Sequence, residues 1–265
     1  MMSKILAVAN QKGGVGKSTT VVNTAASLGI RGQRVLCIDM DPQGNTTSGF
    51  GIRKKSTEVT TYDILMGKNR INDGIIKTEF TNVSVVTSTS DLAGAEIKLV
   101  SLESRSNRLK MQLLTVKDEY DYILIDCPPS LSLLTINALC ACDAVLIPLQ
   151  CEYFSLEGLS QLVESIKMVK QHYNPYLDTD GILFTMVDTR LNLTNQVVAE
   201  VQKHFPQKVY KTTIPRNVKL SEAPSFGKPA IYYDRASKGA KAYEKFTEEM
   251  MKKHGIKNVR PRKIK

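Results

Sequence analysis

Asn10-Gln11-Lys12-Gly13-Gly14-Val15-Gly16-Lys17-Ser18-Thr19-Thr20 is the stretch that decides the fold. It follows the apolar run Ile5-Leu6-Ala7-Val8-Ala9 and precedes Val21, Val22, Ala25, Ala26 and Leu28 at helical spacing. Strand, glycine loop and helix in that order form the context of a phosphate-binding loop. Gly13, Gly14 and Gly16 let the backbone curl so that successive N–H groups face phosphate oxygens. The helix start adds its positive end. Lys17 supplies a charge to the β- and γ-phosphates, the Ser18 hydroxyl suits Mg²⁺, and Val15 and Thr19 complete the run around the phosphates. The strict pattern G-x-x-x-x-G-K-[ST] puts a glycine where Gln11 stands, and it fails there. Instead the loop carries Lys12, five residues before Lys17. A second cation this close is poorly placed to serve the same nucleotide from within one chain. The alternative is that it reaches a nucleotide held by a second subunit.

Outward from the loop, apolar runs bounded by polar turns predict strands at 4–10, 34–41, 83–87, 120–126, 144–150 and 182–187, with a shorter one near 208–212. Helical patterns fall near 17–31, 92–117, 131–141, 155–172, 192–204 and 235–253. Unbroken apolar runs suit parallel strands buried on both faces. The alternation predicts an α/β fold: a single P-loop NTPase domain with a mostly parallel sheet flanked by helices on both faces. Residues 51–80 read as an irregular surface excursion. The domain is expected to span residues 1–251, with 252–265 a frayed basic tail.

Two predicted strands end in acids, Ile38-Asp39-Met40-Asp41-Pro42 and Ile125-Asp126-Cys127-Pro128. Carboxylates at the C-terminal ends of parallel strands face the crevice where open α/β sheets bind ligands. Asp126 suits the Mg²⁺ or its water, and Asp41 suits orienting an attacking water at the metal. Asp39, on the same strand face as Asp41, is expected to hold the metal shell.

The 265 residues carry a net charge of +10, with 42% hydrophobic and 23% charged residues. These are values of an ordinary globular chain, and they exclude a disordered chain, a collagen-like repeat and a disulfide miniprotein. The charge suggests a polyanionic partner, nucleic acid or an anionic membrane surface. The N-terminal apolar run is too short for a signal peptide, and no window approaches the roughly 18–20 apolar residues of a membrane span. A cytoplasmic protein is expected. The cysteines (Cys37, Cys127, Cys140, Cys142, Cys151) have no metal-binding spacing and read as buried free thiols.

Lys12 to Thr20 resembles the deviant phosphate loop of the ParA/MinD class of ATPases. Asp39-Met-Asp41-Pro-Gln-Gly-Asn45 and Asp126-Cys-Pro-Pro-Ser130 resemble its second and third motifs. Ile214-Pro215-Arg216-Asn217-Val218-Lys219-Leu220-Ser221-Glu222-Ala223-Pro224-Ser225 resembles a stretch of the chromosomal ParA (Soj) branch. The likeness spans roughly residues 3–250. It implies ATP and Mg²⁺ as ligands and weak ATPase activity stimulated by a ParB-type centromere-binding partner. It also implies an ATP-dependent homodimer whose interface includes Lys12 and Gly13, with Lys12 reaching the partner's phosphates. Non-specific binding of double-stranded DNA by that dimer, on the nucleoid, and a role in segregating chromosomes or plasmids are implied as well. By the same resemblance Pro215 and Asn217 contact adenine, Asp41 is needed for hydrolysis, and Arg190, Arg216 and Lys219 contact DNA.

Residues 190–228 carry seven cations against Glu200 and Glu222, and the last fourteen residues carry seven cations and no acid. The rest of the chain is therefore slightly acidic, at −2. Scattered Lys and Arg suffice for a DNA contact that reads no bases. MinD-type proteins, membrane-surface positioning ATPases, are the competing reading. They end in an amphipathic helix, whereas Gly255 and Pro261 interrupt any helix in this tail. No stable membrane association is expected.

Overall fold

The computed structural model describes residues 3–152, 155–256 and 261. The first apolar run forms β1 (Lys4–Val8), and the glycine loop leads into α1 (Lys17–Ile30). Next come β2 (Val35–Asp39), α2 (Asn45–Gly49), α3 (Thr61–Met66), α4 (Ile71–Gly74), β3 (Ile75–Lys77) and β4 (Val83–Val86). The middle of the chain holds α5 (Leu92–Leu99), α6 (Arg108–Leu113), β5 (Tyr122–Asp126), α7 (Leu133–Ala141) and β6 (Ala144–Gln150). The remainder forms α8 (Ser155–His172), β7 (Asp178–Thr185), α9 (Asn192–His204), α10 (Val218–Glu222), α11 (Ala230–Tyr233) and α12 (Lys238–Lys253).

The strands form one sheet in the order β3-β4-β2-β5-β1-β6-β7, parallel except for the edge strand β3. Alternation along each strand feeds two cores. Ile5, Ala7, Leu36, Ile38, Ile123 and Ile125 meet the apolar faces of α3 and α5 to α9. Leu6, Val8, Val35, Cys37, Tyr122 and Leu124 meet α1 and α12 on the other side. Burial on both faces is why these strands are unbroken apolar runs.

Three expectations are corrected. Residues 51–80 are not a surface excursion: Tyr62, Ile64, Leu65 and Ile71 are core residues, and the segment supplies α3, α4 and β3. Elements of three to six residues are too short to display a period. The single helix expected over 92–117 is broken into α5 and α6. Between them Ser104 turns to φ 52°, in a run of serines and Asn107 whose side chains compete for backbone partners. The segment near 208–212 runs parallel to β7 without completing a strand. Ile182 N–H donates to Lys208 O, but the Lys211 and Thr212 amides donate instead to the Glu249 carboxylate on α12, at 2.7 and 2.8 Å.

The last helix extends through Lys253, two residues into the segment read as tail. The His254 side chain beyond it packs against Asp180 and Tyr122. The rest of that segment, apart from Gly255, Ile256 and Pro261, lies outside the described residues. The four cysteines of the cores are buried, Cys151 is half-buried, and all five thiols are free.

Candidate nucleotide site

Register brings the site together. Val8, where β1 hands over to the glycine loop, is paired with Asp126 of β5, and Asp126 is paired with Asp39 of β2. Two carboxylates thus sit side by side at the strand ends, next to the loop. Gly14 and Gly16 take φ of 74° and 87°, the left-handed region that glycine enters without strain. Gly16 is the N-cap of α1 and brings no side chain to cap it, so the first N–H groups of the helix are left for a ligand. A cavity of about 390 Å³ adjoins the loop, lined by Gly13, Gly14, Gly16, Lys17, Ser18 and Thr19 together with Asp41. A larger cavity, about 760 Å³, lies at the opposite ends of the strands around Asp143 and Asp178, away from these groups.

Lys17 is 7% exposed, and its Nζ donates to Lys12 O at 3.1 Å. Burial lowers its pKa, and the Asp126 and Asp41 carboxylates act against that shift. Asp126 is fully buried. Its Oδ2 accepts the Thr46 hydroxyl at 2.8 Å, while its Oδ1 accepts no hydrogen bond. The Ser18 hydroxyl is near enough to favour the ionised form of Asp126 yet outside hydrogen-bond geometry to Oδ1. Burial and the adjacent Asp39 charge push the Asp126 pKa up. An orphaned carboxylate oxygen beside a hydroxyl, in a site that disfavours uncompensated charge, is a donor set that fits Mg²⁺. Asp41 is 6% exposed and faces the cavity, its Oδ1 fixed by the Gln43 N–H at 2.8 Å.

Asp39, expected at the metal shell, has both carboxylate oxygens engaged by its own chain. Its Oδ2 accepts the Thr47 N–H and hydroxyl at 2.8 and 2.7 Å, and its Oδ1 accepts the Asp41 N–H. Asp39 therefore clasps α2 to the strand end, and the Thr46 bond to Asp126 fastens the same helix a second time. Burial raises the Asp39 pKa despite these donors.

Lys12 is not among the residues lining the cavity of its own chain. Its ammonium pairs with Glu152, past the end of β6, and both side chains are well exposed. Gly13 is exposed, and a Cβ built on it would meet nothing within 4 Å in this chain. Val15 is buried, with its carbonyl accepting the Thr185 hydroxyl at 2.8 Å. Pro215 bridges to Val187 beside β7, and Asn217 caps α10 through the Lys219 N–H at 3.1 Å. Neither lines the cavity, whose wall on that side is Ala223, Pro224 and Lys228.

The Val187–Pro215 bridge draws Arg190 and Arg216 toward one another. Asp188 is held at about 2, chiefly by its hydrogen bonds from Arg190, with the Arg216 charge contributing. Arg190 is 87% exposed and forks onto Asp188 at 2.9 and 2.6 Å, while Lys219 pairs with Glu222 at 2.9 Å. Sequence reasoning missed Asn45, Ser48 and Met186, which also line the cavity, and Glu152, which holds Lys12. The polar Asn45 after the Asp41 turn was the one available signal.

A sequence-family profile described as an AAA domain matches residues 3–179. The chain is 56% identical over 249 residues to the sporulation initiation inhibitor protein Soj of Bacillus subtilis, covering 94% of this chain and 98% of that protein. The chain belongs to the ParA/Soj family of partitioning ATPases. It is 51% identical to the chromosome partitioning protein ParA of Myxococcus xanthus, covering 98% of this chain and 92% of that one. Among solved structures, cobyrinic acid a,c-diamide synthase from Mycobacterium smegmatis with bound ADP and magnesium superposes with a TM-score of 0.83. Its identity is 34%, over 99% of this chain and 100% of that one. ParA/Soj relatives thus share the sequence more closely than this enzyme, which shares the fold. Among the described residues no helix is long and apolar enough to cross a membrane.

Proposed function

We propose that this chain is an ATP-driven switch for DNA partition. With ATP it forms a homodimer that binds double-stranded DNA without reading sequence, on the nucleoid in the cytoplasm, and a ParB-type centromere-binding partner stimulates its slow hydrolysis of ATP. The observation that carries this reading is the position of Lys12: it belongs to the phosphate loop, yet its charge stands outside the loop's own cavity at an exposed edge. A cation so placed serves a nucleotide across a two-fold axis.

Ser18, Asp126 and Asp41 would hold Mg²⁺, which neutralises phosphate charge when bound. The glycine-loop N–H groups cradle the phosphates and Lys17 offsets their charge. Asp41, braced by Gln43, orients the attacking water. Pro215 and Asn217 approach the adenine once a nucleotide draws the 214–217 segment toward the cavity. Arg190 and Lys219 exchange their carboxylate partners for DNA phosphates, Arg216 adds its charge beside them, and the cations of residues 252–265, of which Lys252 and Lys253 end α12, add to that field.

The test is duplex affinity with ATP, with ADP and without nucleotide, at two salt concentrations. Tight binding with ATP alone, weakening steeply with salt, is expected. Binding that ignores the nucleotide would reduce the chain to a generic basic binder.

A further inference from the structure

Gln150, the last residue of β6, is 9% exposed, and its amide touches two separate elements. Nε2 donates to Gly14 O of the phosphate loop at 3.2 Å and lies 2.8 Å from Met186 Sδ. Met186 follows β7 and takes φ 52°, a conformation that non-glycine residues rarely adopt. Such strain persists only where the surroundings impose it. Here they do so on both sides. Gln150 meets the Met186 side chain, and the next amide, Val187 N–H, donates to Ile214 O at 3.0 Å. Met186 also lines the nucleotide cavity. Two residues further on, Asp188 occupies the Arg190 guanidinium with a two-pronged ion pair.

We propose that Gln150 and Met186 relay the state of the phosphate loop to Arg190, so that nucleotide in the cavity decides whether this cation is free for a DNA phosphate. The proposal rests on the DNA-switch reading above and adds the route by which the two sites communicate. A nucleotide entering the cavity meets Met186 directly and meets Gly14 through its backbone, and Gln150 joins the two. In this relay the strained turn takes two arrangements: the one observed, in which Asp188 holds Arg190 by its guanidinium and its backbone N–H, and a relaxed one that presents Arg190 to a phosphate. Coupling carried by such an element is a difference in its equilibrium between nucleotide states.

The experiment compares DNA affinity at saturating ATP and saturating ADP, by fluorescence anisotropy of a labelled duplex, for the parent, Gln150→Leu and Met186→Gly. Saturation removes any effect of altered nucleotide affinity. Glycine at 186 adopts the same backbone without strain, so it discharges the turn if Gln150→Leu fails to fold. The parent should bind DNA about 5–150-fold more tightly with ATP, the usual range of coupling between sites. In each folded variant that ratio should fall at least about fivefold, while sedimentation of Gln150→Leu still detects the ATP dimer. A parent ratio of one overturns the switch reading and the relay together. A parent ratio in range with unchanged ratios in the folded variants overturns the relay alone, as does parallel loss of dimer and DNA binding in Gln150→Leu.

Discussion

Replacing Lys12 with alanine separates folding from assembly. Within the subunit the ammonium makes one ion pair, with Glu152, and both side chains are roughly half exposed (39% and 51%). A pair so wet is worth about 0–1 kcal/mol, so the midpoint of urea unfolding should barely move. Across the dimer the arithmetic differs. Two-fold symmetry sets two Lys12 side chains against two nucleotides, and each charged hydrogen bond contributes about 1.5–3 kcal/mol. Losing both costs about 3–6 kcal/mol, a rise of roughly 10²–10⁴-fold in the dimer dissociation constant. Sedimentation velocity with ATP should therefore find Lys12→Ala monomeric at concentrations where the parent dimerises. Fluorescent ATP should still bind, because Lys17 and the loop amides are untouched. A normal ATP dimer in this variant would refute the cross-subunit role. Loss of nucleotide binding with no change in stability would place Lys12 in its own chain's site instead.

Asp41→Ala should bind ATP and accumulate as an ATP dimer on DNA, with phosphate release reduced at least about 100-fold, in keeping with loss of the group that orients the attacking water; turnover at the parent rate would remove Asp41 from the reaction. Arg190→Glu reverses the charge of an 87% exposed side chain, so duplex binding should be lost at moderate salt while ATP binding and thermal stability hold, and unchanged affinity at low salt would take Arg190 out of the interface. Thr47→Val deletes a hydroxyl that donates to buried Asp39 and accepts the Ser88 N–H at 3.0 Å. The charged hydrogen bond and the stranded amide together predict about 3 kcal/mol of lost stability in urea unfolding, and a change below about 1 kcal/mol would mean that α2 is held by other contacts.

The glycine loop, the strand-end aspartates and the long helices α1, α8, α9 and α12 could be read from the chain because each is a local pattern. A phosphate nest needs consecutive glycines, a two-sided strand needs an unbroken apolar run, and a helix of three turns or more displays its period. Segments of three to six residues display none, so α3, α4 and β3 were invisible although Ile64, Leu65 and Ile71 are core residues. The unfinished strand at 208–212 depends on Glu249, about 40 residues away, which takes two of its amides.

Roles within the site divide in the same way. Local sequence determined that Lys17 and Ser18 stand on a phosphate loop, that Asp41 and Asp126 end strands, and that Lys12 is an extra cation. Only the tertiary structure decided between two aspartates of identical local character. Asp126 keeps a buried, unpaired oxygen beside Ser18, whereas Asp39 spends both oxygens on Thr47 and the Asp41 amide. It also decided that Lys12 leaves its own cavity for Glu152, and that Gln150 touches Gly14 and Met186 at once. The physical reason is that hydrogen-bond capacity is limited. Which partner uses up a carboxylate or an ammonium depends on groups brought close by the sheet register, and residues 140 positions apart in sequence leave no trace of that pairing in either local stretch.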